Sequence, residues 1–232
     1  MYKRQLLAIA FPAILTQLAT PVGQAWVTRA MAEYGEEAVA GMAIVGRLTP
    51  VAFGVIFALS GAVGPIIGQN FGANQQDRVR RAYLDGILFC VLFVLAMSGL
   101  LYLLRPWIAA LFEAEGLALT LIYLFCGPLA LAFFFNGLIF VSNAAFNNLG
   151  HPFYSTWINW GRHTLGTIPL VWLGAHLFGA TGVLIGQAAG GVIFGLLALW
   201  LSLRVIDQAP EPGPRAPFAR EGRLMTLLHL RR

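Results

Sequence analysis

Two stripes of neutral polar side chains run through stretches that are otherwise apolar. In the first, Thr16, Thr20 and Gln24 stand four residues apart, with Gln17 beside Thr16. In the second, Asn136, Asn143 and Asn147 stand seven and four apart, with Phe140 on the same helical face. Hydroxyls and carboxamides donate and accept hydrogen bonds. Lined up with an aromatic ring between them, they suit an amphipathic organic molecule held in a hydrated cavity. The same groups would also serve to tie helices together, at roughly 0.5–2 kcal/mol each. The sequence leaves both readings open.

Ionisable groups within the apolar stretches are few. Arg47, and Arg162 with His163, stand about nine residues into their segments, ~14 Å of helix rise. Arg47 joins the cavity candidates. Asp85 lies about two helical turns into its segment and approaches from the same side as Arg162, which makes the two a candidate pair. No Asp or Glu stands at mid-depth, where transport driven by a cation usually keeps a carboxylate. The four histidines lack metal-ligand spacing, and neither a nucleophile elbow nor a phosphate loop ending in Lys-Ser/Thr occurs. The chain is therefore expected to be no enzyme, with no catalytic residue, no metal site and no cofactor.

The elements that must position these residues follow from composition. Of 232 residues, 58% are hydrophobic and 11% charged, against about 25% charged in a soluble domain; the mean hydropathy is +0.73. A soluble core of this length could not hide so much apolar surface. An all-α integral membrane protein is the remaining class. Its net charge of +5 raises the question of nucleic acid. The cations sit at segment ends and in the tail instead, as topology determinants and contacts to anionic lipid. Cys90 and Cys126 lie inside apolar runs and read as small packed hydrophobes rather than a disulfide or metal pair. The basic, apolar N-terminus resembles a signal peptide. Its apolar run is too long and lacks a small-x-small cleavage site, so it reads as a span that stays attached.

Six spans are expected, at about 5–30, 38–70, 79–104, 117–147, 153–177 and 179–203, each long enough for a core ~30 Å thick. The long second span is expected to be tilted, to be kinked near Pro50 or Pro65, or to extend beyond the lipid, and Arg105-Pro106 to end the third. Lys3, Arg4, Arg78, Arg80, Arg81, Arg204 and the tail arginines fall on one side; Glu33, Glu36, Glu37, Glu113 and Glu115 fall on the other. The positive-inside rule then places both termini in the cytoplasm. Residues 1–206 form the six-helix lobe. Residues 207–232 form a Pro/Arg-rich cytoplasmic tail, extended through Pro210, Pro212, Pro214 and Pro217. Beyond Phe218 that tail is either a short amphipathic basic helix on the lipid surface or disordered.

Glycines set the packing. Gly64, Gly68 and Gly72 stack at steps of four on the second span, and Gly182, Gly186 and Gly190 on the sixth, with Gly191 and Gly195 offset by one. Helices can approach closely along such ladders, so spans two and six are expected to be the close-packing ones.

These residues carry a resemblance. The N-terminal span with Pro12, the loop EYGEEAVAGMAIVGRL and the block ALSGAVGPIIGQNFGANQQDRVRRA are similar to the C-terminal half of a multidrug and toxic compound extrusion (MATE) transporter. The run Gly68 to Ala73 followed by Asp77-Arg78 is its most specific part; Arg162 with IPLVWL, and FGATGV, are weaker matches. The resemblance implies two six-helix lobes facing each other across a central cavity. Organic compounds, expected to be cationic drugs or metabolites, would leave through it in exchange for Na+ or H+ across the plasma (inner) membrane. Spans one, two and four would line the cavity. The position where some members carry a coupling carboxylate falls on Asn136, and another that is glutamate in some falls near Thr20. The coupling ion is then expected on the missing lobe. That partner would be an N-terminal lobe or a second copy of this chain. The rival readings are a lipid-linked sugar flippase, which should show more cavity-facing cations than Arg47 and Arg162, and a truncated or non-transporting membrane subunit.

Overall fold

The computed structural model describes the backbone of residues 2–208 and the side chains of residues 14–208. Every described element is helical. In chain order they are α1 (Tyr2–Ala32), α2 (Glu36–Gly72), α3 (Gln76–Leu111), α4 (Gly116–Leu124), α5 (Ala130–Asn148), α6 (Pro152–Gly161) and α7 (Thr167–Gln208). Two π-helical turns, Phe125–Leu129 and Arg162–Gly166, join α4 to α5 and α6 to α7. Four continuous runs are long and apolar enough to cross a membrane: Glu36–Gly72, Gln76–Leu111, Gly116–Asn148 and Pro152–Gln208. The tail expected at 207–232 lies, from residue 209 onward, outside the described residues.

The helices overrun the expected ends by one to several residues. The largest correction is at Pro106, which was expected to stop its span. α3 passes through it to Leu111. Proline removes one helical hydrogen bond, but the apolar residues that follow remain helix-compatible. Arg105 lies over the rings of Tyr102 and Tyr123, 4.0 and 4.9 Å from the centroids, which keeps the cation on the helix surface.

The 57-residue run Pro152–Gln208 would be about 85 Å long if straight, far more than a bilayer. It is not straight. At Gly179 φ is 62° and ψ −141°, a conformation open mainly to glycine. The chain folds back there into a hairpin. A Cβ on Gly182 would land on the Gly174 backbone, one on Gly186 on Leu170 and Val171, and one on Gly190 on Gly166. The break falls between the fifth and sixth expected spans.

Each glycine ladder therefore has a partner, but not the other ladder. The α7 ladder packs on the preceding limb of its own hairpin, while the offset pair faces α5: Gly191 abuts Asn136 and Gly195 abuts the Phe135 backbone. On α2, Cβ atoms on Gly64 and Gly68 would fall 3.0 Å and 2.8 Å from the side-chain nitrogen and oxygen of Asn148. Removing a Cβ opens a groove that a side chain fills as well as a second backbone does. Gly72 stands at the exposed end of α2.

α5 sits at the centre, packed on α2, α3, α6 and α7. Its Phe133 stacks on Phe53 of α2 at 4.1 Å between centroids, and Phe53, Ile56, Tyr83, Cys90, Phe146 and Ile206 form the core with it. Cys90 and Cys126 are buried free thiols. Within that core the Tyr83 hydroxyl bonds the hydroxyls of Ser142 and Ser202, joining α3, α5 and α7. The exterior is apolar, with Trp107, Leu103 and Leu111 more than two-thirds exposed, as lipid contact requires.

Candidate functional site

Proline leaves one helix carbonyl without its donor and pushes it aside, so the chain near a proline departs from the regular α-helix. Three such departures converge. α2 is non-helical at Phe53 (φ −114°, ψ 15°), three residues past Pro50. Gly127, beside Pro128, has φ −101° and ψ −115°. The π turn Arg162–Gly166 runs up to Pro169, whose ring leaves the Leu165 carbonyl without its usual donor. Between them lies a cavity of about 460 Å³ lined by Pro50 and Phe57 of α2, Phe125 and Leu129 of the first π turn, Ala132, Phe133 and Asn136 of α5, Arg162 of the second, and Leu184, Gln187 and Ala188 of α7. Gln24 of α1 and Met42, Val45, Gly46 and Thr49 of α2 complete the wall.

The first polar stripe divides along its length. The buried stripe of α1 is one residue earlier, Ala19, Gly23, Val27 and Met31, so Thr16, Thr20 and Gln24 run along its margin. Gln24 lines the cavity. Thr16 instead bonds Thr156 of α6 at 3.0 Å, next to a bond from the Trp160 indole to the Leu15 carbonyl. Gln17 and Thr20 are exposed.

The second stripe divides in the same way. Asn136 lines the cavity, and its Oδ1 is buried without a hydrogen-bond partner. Phe140 meets Phe57 edge to face at 5.2 Å. Asn143 accepts from Asn159 at 3.3 Å, and Asn147 accepts from Ser155 at 3.1 Å, so this lower half ties α5 to α6. Arg47 is exposed and does not line the cavity.

Three polar lining residues, Thr49, Gln187 and Arg162, escaped the stripe argument. Gln187 is a carboxamide next to Gly186 in an apolar run, a signal visible in the sequence but hidden among the ladder glycines. Arg162 was visible as an intramembrane cation, yet its place in the wall depends on the π turn. It is the one charged residue among those lining the cavity. Asp85, its candidate partner, is exposed on α3, and no ion pair joins the two among the described residues. His163 points the other way. It is 3% exposed, its ring occupies the space left by Gly23 of α1, and its Nε2 has no partner.

An all-helical, multi-pass membrane protein with a cavity at helix breaks that carries a few polar side chains is a transporter-like architecture. Residues 12–173 match the MatE family model, and the chain belongs to the MatE family, whose members are membrane transporters rather than enzymes. It is 37% identical over 220 residues to a 21 kDa protein from the iaaL 5' region of Pseudomonas savastanoi, covering 91% of this chain and 69% of that one. It is 30% identical over 200 residues to a FAD transporter of Shewanella oneidensis, covering 86% of this chain and 44% of the relative. The MATE transporter VcmN of Vibrio cholerae, solved in a bent form, superposes with a TM-score of 0.82 at 25% identity over 88% of this chain and 47% of that one. The chain thus spans about half the length of these two transporters, consistent with a single lobe.

Proposed function

We propose that the chain is one lobe of a MATE-type transporter and that it moves a small organic molecule by alternating access, coupled to Na+ or H+. In this reading it crosses the plasma (inner) membrane six times, with α1 as the first crossing and the α7 hairpin, entered from α6, as the last two. Both termini then lie in the cytoplasm. The observation that carries the reading is the cavity at the three helix breaks, because irregular backbone at membrane depth is tolerated where it lines a water-filled site. Alternating access needs a second bundle to rock against, and the share of VcmN that the chain covers leaves room for one. That bundle is an N-terminal-type lobe or a second copy of this chain. A cationic cargo would have to find its counter-charge there, since the charged residue lining this wall is Arg162. The coupling carboxylate is placed there too, because the cavity lining here includes neither Asp nor Glu.

The test is Na+- or H+-driven uptake in proteoliposomes containing this chain alone or with a supplied N-terminal lobe, with subunits counted by crosslinking. Transport that appears only with the second lobe, or only in a crosslinked dimer, is the expected result. Robust coupled transport by a monomer would overturn the two-bundle mechanism. Absence of transport in every arrangement would favour the non-transporting subunit.

A further inference from the structure

We infer that the wall this lobe contributes to the transport cavity recognises an anionic organic group, a carboxylate or a phosphate, with Arg162 as its counter-charge. The inference rests on the reading of the cavity as a cargo site. Arg162 carries the charge assignment, and its neighbours in the wall set what else the molecule must offer. Arg162 is half-buried in the wall and forms no ion pair with any described carboxylate, including Asp85. A guanidinium held away from bulk water without a counter-charge is costly, so something anionic should complete it. Asn136 lines the same cavity, and its buried, unpartnered Oδ1 is an acceptor, so it calls for an N–H or O–H donor elsewhere on the molecule rather than for the anionic group itself.

The chemistry then divides by group. Arg162 would meet the anion as a planar, bidentate donor, the geometry that matches carboxylate and phosphate. Gln24 and Gln187 supply carboxamides for neutral polar parts of the same molecule, and Phe57 and Phe133 offer aromatic surface for its scaffold.

The experiment compares two dyes that share a xanthene frame and differ in charge. Fluorescein, as its dianion, and rhodamine 6G, a cation, are titrated by anisotropy against the full chain in nanodiscs. Fluorescein should bind more tightly than rhodamine 6G. Arg162→Gln should weaken fluorescein on the order of tenfold or more, the loss of one charge-assisted contact, while Arg162→Lys keeps most of the affinity. Gln187→Glu serves if Arg162→Gln fails to fold. It leaves the arginine in place but offers it a competing carboxylate, and it too should weaken fluorescein. Benzoate and phenyl phosphate as competitors separate the two anion types; displacement by either supports the inference, and displacement by neither overturns it. Preferential binding of rhodamine 6G, or fluorescein binding that ignores both variants, would overturn the anionic assignment while leaving the cavity a cargo site. Binding of neither dye would count against the cargo-site reading itself.

Discussion

Gly174 and Gly182 lie backbone against backbone on the two limbs of the α7 hairpin, each occupying the position where the other's Cβ would be. Gly186 against Leu170 and Val171 extends the same contact. Because the obstacle is main chain rather than a flexible side chain, it cannot move aside. Gly186→Leu should therefore cost at least the ~1–3 kcal/mol typical of overpacking. Gly54→Ala, with nothing within 4 Å of the added carbon, should melt like the parent. Thermal unfolding of both variants in detergent checks the contrast; equal melting would mean that the hairpin limbs do not touch.

The Asn148 amide filling the groove at Gly64 and Gly68 is a different kind of contact, because a side chain can be removed. Gly68→Leu should destabilise by about 1–3 kcal/mol. In a double-mutant cycle with Asn148→Ala the cost should fall, giving a coupling of about 0.5–3 kcal/mol. Strictly additive losses would show that the leucine meets something else.

The cavity-lining and helix-tying members of the two polar stripes should separate by readout. Asn159→Ala removes the donor to Asn143 and should lower stability by about 0.5–2 kcal/mol with little effect on ligand binding. Gln24→Ala and Asn136→Ala should weaken dye binding with melting nearly unchanged. Equal loss of stability and binding in all three would make both stripes structural glue.

Tyr83→Phe leaves Ser142 and Ser202 within 3.2 Å of each other, so the two serines can still satisfy one another. The expected loss is modest, about 0.5–1.5 kcal/mol. Ser142→Leu should cost more, since the site is fully buried and cannot absorb the added volume. Chemical denaturation of the two variants gives the order; the reverse order would sink the network account.

Orientation is open to labelling. Cys90 and Cys126 are buried, so single cysteines at Gln75 and Glu36, both at short turns of α2, report against a quiet background. Maleimide should reach the first only from the cytoplasmic side and the second only from outside. Labelling of both from one side would overturn the crossing count.

The amino-acid sequence by itself determined that the chain is helical and membrane-embedded, because apolar content and span length decide which solvent it must sit in. Charge asymmetry gave the expectation for orientation, and missing Cβ atoms marked surfaces of α2 and α7 that another group approaches. What it could not supply was the partner for each surface. Periodicity says that one face of α2 is cut away at Gly64 and Gly68, but not that Asn148 of α5 fills it rather than α7. The cavity was legible in part, through Gln24 and Asn136. Thr16, Asn143 and Asn147 carry the same chemistry, and only α6 packing beside them made them ties instead of lining. Arg162 shows the reason most plainly. A face computed at 3.6 residues per turn holds only while the helix is regular. The breaks at Phe53, Gly127 and 162–166 shift the phase, and tertiary structure alone decided which side chains turned inward.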